Sequence, residues 1–362
     1  MKIGIITHYD VHNHGAILQL NALTAILKQS GHQAQALQFE KNYDFLGVAM
    51  KSKYNIGIKS IPYYIRYTLK NGIARTLFNI RKRSLLERFK ADNQLLGDYY
   101  SEAKDTDAVI IGSDEVFALH TGPTPVFFGH ACPAEKVFAY AASFGPTTIE
   151  DIESLHCRQF VTSGLNGMCG LSVRDINSCD IAEQLLGHRP EIVADPVILY
   201  GYKDEIRTQQ APKLPPYMLV YAYDNNMNES SEVDCIKAYA RTHKLKIVSA
   251  GFYHKWADYN INVSPTELLN YFHHAQCVVT DTFHGSVMSI ITNRPLAVKI
   301  RGNGNKLRYL LSEYGLSGRE LTAWDSLPEV LAKPIDYEAV NLEVVKRREK
   351  SMSYLTKMLS AN

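Results

Sequence analysis

Lys2-Ile3-Gly4-Ile5-Ile6-Thr7, running into His8-Tyr9-Asp10-Val11-His12-Asn13-His14-Gly15, is the stretch whose reading decides the fold. The first part is a short apolar run and reads as a strand. Ala16 to Gln29 then repeats its apolar residues at helical period, Gly31 supplies the stop, and Gln35 to Phe39 is the next strand. This is one βαβ unit, and such units build parallel sheets flanked by helices.

Working outward, strands are expected at Ala108 to Ile111, Val137 to Ala141, Gly170 to Val173 and Glu191 to Val193, with a helix at Ile176 to Leu186 ending on Gly187. The Pro-rich break Ala211-Pro212-Lys213-Leu214-Pro215-Pro216 precedes a second series. It consists of strand Tyr217 to Tyr223, helix Glu232 to Thr242, strand Leu245 to Val248, helix Pro265 to His273, strand Cys277 to Thr280, helix Phe283 to Ile291 and strand Leu296 to Ile300. Tyr337 to Leu359 reads as a long charged helix. At 362 residues the chain exceeds one comfortable core. Three units are expected: residues 1–205, residues 206–335, and a C-terminal helix in 336–362 that packs back across the N-terminal half.

Apolar residues at 46% and charged residues at 21% are ordinary for a folded chain. The N-terminus has no secretion-signal pattern, and no window approaches the roughly 18 uninterrupted apolar residues of a spanning helix, so a cytoplasmic location is expected. Six cysteines without a CxxC pair suggest neither zinc nor disulfides. A net charge of +2 argues against a nucleic-acid partner. Residues 41 to 90, however, hold twelve Lys or Arg against two acids, interleaved with Tyr43, Phe45, Tyr54, Tyr63, Tyr64, Tyr67, Phe78 and Phe89. That stretch is either a docking face for anionic lipid at the inner side of the membrane or an ordinary solvated helical face.

Ligands of open α/β sheets bind beyond the carboxyl ends of the strands, so the polar residues there are the candidates. After the first strand come Asn13 and Gly15, opening a helix whose free amides suit an anion or a sugar hydroxyl, with Gln19 one turn on. His8, His12 and His14 read as a surface loop more readily than as a metal site, because no partner acid has diagnostic spacing. Ser113 and Asp114 follow Gly112, and Ser143 follows the strand ending at Ala141. Arg174 directly follows an apolar strand, where a guanidinium either grips a phosphate or carboxylate or pairs with an acid. Asp195-Pro196 reads as a structural turn. In Val278-Val279-Thr280-Asp281-Thr282-Phe283-His284-Gly285-Ser286 an apolar strand passes straight into a helix, and His284 near its start should have a lowered proton affinity. There is no GxGxxG and no GxxxxGK[ST].

Six of these segments, in order, resemble the polysaccharide pyruvyl transferase family. Asn13-His14-Gly15-Ala16-Ile17-Leu18-Gln19 is similar to its N-x-G-A-x-L-Q opening, and Gly112-Ser113-Asp114-Glu115-Val116-Phe117 to its GSDQVW segment. Glu115 and Phe117 depart from the usual glutamine and tryptophan. Tyr140 to Gly145, Leu171 to Asp175, Ala194-Asp195-Pro196 and Thr280 to Gly285 complete the match.

The resemblance implies two Rossmann-like domains facing a cleft, as in B-type glycosyltransferases. It also implies transfer of pyruvate from phosphoenolpyruvate onto two hydroxyls of a saccharide, within cell-surface polysaccharide biosynthesis. The arginine and histidine matching Arg174 and His284 would contact the donor, and these two are the catalytic candidates. The donor-binding set is Arg174, Thr282, His284, Gly285, Ser286, Arg301 and Asn305, mostly on the C-terminal side. The acceptor-binding set is Asn13, Gly15, Gln19, Ser113, Asp114 and Ser143, on the N-terminal side, for a saccharide that a lipid could carry. No metal and no cofactor are expected, because arginine and helix amides suffice for the donor's charge. The competing readings are a glycosyltransferase using a nucleotide sugar and a noncatalytic binder of sugars or anions.

Overall fold

The computed structural model describes residues 1–40, 61–302 and 304–360. Two parallel sheets make the frame. The N-terminal sheet contains β1 (Lys2–Ile6), β2 (Gln33–Gln38), β3 (Leu96–Tyr99), β4 (Ala108–Ile111), β5 (Lys136–Ala142), β6 (Gly170–Val173) and β7 (Glu191–Ile192), in the spatial order β3-β2-β1-β4-β5-β6-β7. The C-terminal sheet contains β8 (Tyr217–Tyr221), β9 (Lys246–Ala250), β10 (Tyr259–Ile261), β11 (Cys277–Thr280) and β12 (Leu296–Val298), in the order β10-β9-β8-β11-β12. The central strands are buried on both faces, as parallel strands covered by helices must be, and so read as unbroken apolar runs.

In each sheet the strand order reverses once beside the first strand, between β1 and β4 and between β8 and β11. Ile6 pairs with Ile111 and Thr280 with Tyr221 at those two junctions. Adjacent connecting chains leave in opposite directions there, which opens a crevice beyond the carboxyl ends of the strands. The two crevices supply the walls of one cleft.

Helix His14–Gln29 joins the halves. Leu18 and Ala22 on it belong to the same buried apolar cluster as Tyr202, Tyr221, Val287 and Leu311, and the Tyr202 hydroxyl donates to the Leu18 carbonyl at 2.7 Å. The terminal helix Tyr337–Ser360 also touches both cores: Val340 and Val344 enter the C-terminal one, Leu355 and Met358 the N-terminal one. Such apolar contact holds the cleft walls at a set distance.

Strands β3 and β10 were not expected from the sequence. Both are short edge strands, and neither is fully buried, so neither has the apolar run that marks the central strands. Of the basic aromatic stretch, residues 41–60, with Tyr43, Phe45 and Tyr54, lie outside the described residues. Residues 61–71 and 73–90 fall in helices Ile61–Asn71 and Ile73–Asp92. Among the described residues no helix is long and apolar enough to cross a membrane, and all six cysteines are free thiols.

Candidate active site

The cleft between the sheets has a volume of about 580 Å³ and is lined from both halves. His8, Asn13, Asp114, Glu115 and Arg174 come from the N-terminal half, and Tyr223, Asn226, Asp281, Thr282, His284, Arg301 and Lys306 from the C-terminal half.

Its floor is a buried charge network. Arg174 donates from Nη1 to Asp195 Oδ2 at 2.9 Å and from Nη2 to Asp114 Oδ1 at 2.8 Å, and its guanidinium carbon lies 4.3 Å from the centre of the Phe283 ring. The arginine side chain is only 1% exposed. Burial pushes the Asp114 carboxyl up, but Arg174, His284, His8 and Lys306 outweigh it and hold it well below the usual range. Asp195 is doubly committed, since its Oδ1 accepts the Val197 amide and caps the short helix Pro196–Tyr200.

His284 stands over this floor, on the first turn of helix Phe283–Ile291. Thr282 caps that helix by accepting the Gly285 amide at 2.9 Å. The imidazole crosses to the other half of the molecule. A Cβ at Gly15 would fall 2.3 Å from His284 Cγ, so only glycine allows the ring to lie against the start of helix His14–Gln29. Its Nε2 is 3.7 Å from Asp195 Oδ2, and among the described residues that atom makes no hydrogen bond. Burial lowers its pKa, Asp195 and Asp114 push it back up, and Arg174 lowers it again, leaving it below the ordinary value. The ring therefore rests neutral at pH 7.

The rim belongs mainly to the C-terminal half. Arg301 donates from Nε to Asp281 at 2.9 Å and from Nη2 to Glu232 at 2.7 Å, with its side chain 35% exposed. Asp281 also accepts from Asn226 at 2.7 Å; burial raises its carboxyl despite both donors. Lys306, on the second residue of helix Asn305–Glu313, pairs across the cleft with Glu115. Asn13 reaches the Tyr223 hydroxyl at 3.4 Å, a further contact across the halves. Among the described residues no group of three His, Cys, Asp or Glu is arranged to hold a metal ion.

The family profile for polysaccharide pyruvyl transferase matches residues 13–298. This chain belongs to that family. The enzyme is thus a transferase, and the family implies a saccharide acceptor. No curated protein sequence gives a significant match. Among solved structures, the UDP-N-acetylglucosamine 2-epimerase of Rickettsia bellii superposes with a TM-score of 0.55 at 12% identity, over 99% of this chain and 95% of that one. The UDP-GlcNAc 2-epimerase of Methanocaldococcus jannaschii gives 0.52 at 14%, over 99% of both chains. A trehalose-6-phosphate synthase gives 0.56 at 10%, over the whole of both. At such identities the likeness is one of fold, the two-domain B type expected from the sequence.

Several residues of the transferase sit elsewhere than the strand-end argument expected. Gln19, Ser113 and Ser143 are interior rather than on the acceptor wall. Gln19 donates to Thr7 Oγ1 at 2.9 Å and accepts from Ser113, while Ser143 donates to Asp175 at 2.6 Å. They close the loops behind the cleft, where buried polar groups must find partners. On the donor side, the Gly285 amide is consumed by Thr282, and the Ser286 hydroxyl donates back to the Thr282 carbonyl at 3.2 Å. Lys306, rather than Asn305, lines the cleft. Arg174 has taken the second of its two options and is paired with acids. Asp195, Glu115, Tyr223, Asn226 and Lys306 were missed. For Glu115 the signals were its place in a matching segment and its departure there from the family's glutamine, and for Asp195 its membership of a matching segment.

Proposed function

We propose that this transferase moves the pyruvyl group of phosphoenolpyruvate onto two hydroxyls of a saccharide as a ketal, in the making of a cell-surface polysaccharide. One observation carries the reading. His284, from the C-terminal half, lies against Gly15 and beside Asp114 and Asp195 of the N-terminal half, so a proton-carrying group faces the cleft where the two halves meet.

The donor carries a phosphate and a carboxylate. Arg301, Lys306 and the amino end of helix Phe283–Ile291 suit those charges, with Arg301 and Lys306 exchanging their present carboxylate partners for the donor. Incoming negative charge raises the proton affinity of His284, so donor binding brings in the proton that the chemistry needs. His284 gives that proton to the methylene carbon, and a sugar hydroxyl attacks the adjacent carbon, returning its own proton to His284. The carbon–oxygen bond to phosphate breaks as the second hydroxyl closes the ketal, and that hydroxyl's proton leaves with the phosphate. Ionised Asp114, held by Arg174, accepts a hydrogen bond from a sugar hydroxyl and orients it. The acceptor is proposed to be a lipid-linked saccharide.

The test is phosphate release from phosphoenolpyruvate with a panel of saccharides, alongside thermal melting with phosphoenolpyruvate, UDP-sugars and GDP-sugars. Acceptor-dependent phosphate release and stabilisation by phosphoenolpyruvate are expected. Stabilisation by a nucleotide sugar alone would replace this reading with glycosyl transfer, and binding without turnover of either would make the protein a binder.

A further inference from the structure

The helices Ile61–Asn71 and Ile73–Asp92 form a hairpin about Gly72, whose φ of 83° a glycine adopts freely. Thr76 donates to Thr68 at 3.2 Å and Asn79 to the Tyr67 hydroxyl at 3.0 Å, so the arms run antiparallel with these residues between them. Ile65 and Leu69 on one arm, and Ile73, Leu77 and Ile80 on the other, are exposed, Leu69 by 82% and Ile73 by 69%. Single exposed apolar residues are normal; five on one hairpin, at spacings that share a helix face, make a stripe.

The charges beside it have one sign. From Ile61 to Leu86 the chain carries six Lys or Arg and no acid. Arg75 and Lys82 are turned inward, the first to Asp224 and Asn225, the second over the Phe252 ring. Arg66, Lys70 and Arg81 remain exposed around the stripe. Apolar residues interleaved with cations that pair with no acid among the described residues match a surface that is oily below and anionic above. The hairpin also adjoins the cleft. Asn79 and Arg75 both hold Asp224, at 3.0 and 3.4 Å, and the residues on either side of the next turn, Tyr223 and Asn226, line the cleft.

We propose that this hairpin docks the protein on an anionic phospholipid bilayer, with Leu69 and Ile73 entering the acyl boundary and Arg66, Lys70 and Arg81 at the level of the lipid phosphates. Docked in this way, the hairpin holds the adjoining cleft near the membrane surface. The inference rests on the surface alone and is read without any substrate, so its failure and the failure of pyruvyl transfer are separate results.

The experiment is co-sedimentation of the full chain with phosphatidylcholine vesicles, with and without phosphatidylglycerol, at low and physiological salt. Binding only to the phosphatidylglycerol vesicles is expected, weakening as salt rises. Arg66→Glu with Lys70→Glu, and separately Leu69→Ser with Ile73→Ser, should each reduce binding by roughly tenfold or more. Both variants should keep the melting temperature and the activity on a water-soluble acceptor. No binding to anionic vesicles, or equal binding by wild type and both variants, would overturn the proposal. So would a change from dimer to monomer in the Leu69→Ser, Ile73→Ser protein on gel filtration, which would assign the stripe to a second copy of the chain.

Discussion

The floor and the rim of the cleft are each built on an arginine between two carboxylates, and they differ chiefly in the exposure of the arginine. On the floor, Arg174 joins Asp114 and Asp195 with its side chain 1% exposed; on the rim, Arg301 joins Asp281 and Glu232 with its side chain 35% exposed. An enclosed arginine that is lost strands its carboxylates in low dielectric, whereas a partly exposed one can swing to an incoming anion, although the carboxylates it leaves, Asp281 and Glu232, are themselves buried. The same motif therefore does opposite work. The floor is a scaffold that sets the position and proton affinity of His284, and the rim holds the cations that can turn to a donor.

The comparison breaks most visibly if Arg174→Ala is tolerated. Removing it leaves Asp114 and Asp195 buried without their partner, and a loss of about 3–5 kcal/mol is expected in denaturant unfolding. Arg174→Lys should recover only part, since an ammonium cannot bridge both carboxylates in the guanidinium's fixed geometry. A fully stable Arg174→Ala protein with a raised donor KM would instead make Arg174 a donor ligand.

Next in size is His284→Ala. Its kcat should fall by about 10²-fold or more with circular dichroism unchanged, the range of a lost acid or base. Near-normal turnover would reduce His284 to a packing partner of Gly15.

At the rim, Arg301→Ala should raise the donor KM by roughly tenfold and cost less stability than Arg174→Ala, because the guanidinium removed is partly solvated although Asp281 and Glu232 are buried. A stability loss like that of Arg174→Ala would erase the distinction between the two sites.

A finer test is pH. Burial keeps His284 below its ordinary value, so in the free protein it is already mostly neutral at a pH of about 6.5 and its protonated fraction goes on shrinking as pH rises. With His284 as the proton donor, kcat/KM for phosphoenolpyruvate should rise as pH falls from about 8 toward about 6, and the residual activity of His284→Ala should lack that limb. The smallest expected effect is that of EDTA. If the rim cations alone meet the donor's charge, turnover is unchanged; full loss, restored by Mg²⁺, would mean that Asp281 and Glu232 hold a metal rather than an arginine.

The alternation of apolar runs with helical periods was enough to draw most of the frame. Ala108–Ile111, Gly170–Val173 and Cys277–Thr280 form strands at the expected limits, and Ile176–Leu186 and Phe283–Ile291 helices at theirs. These elements are buried on both faces or capped by identifiable residues, so local chemistry suffices to mark them. β3 and β10 escaped because an edge strand of three or four half-exposed residues carries no such mark. At 61–92 a helical face was one of the two readings, but the two helices and their turn at Gly72 were not delimited, for a different reason. The exposed apolar residues there blur the contrast between a buried and a solvated face on which helical periodicity depends.

By itself, then, the sequence determined the two parallel sheets and the strand ends where a site must lie, because parallel connections send every carboxyl end to one side. Tertiary structure alone decided the state of the groups gathered there. Arg174 is spent on Asp114 and Asp195, which lie 60 and 21 residues away along the chain, and Lys306 meets Glu115 across 191 residues. Whether a charge at a strand end is free, paired or buried depends on what the other strands bring beside it, and no local pattern records that distance.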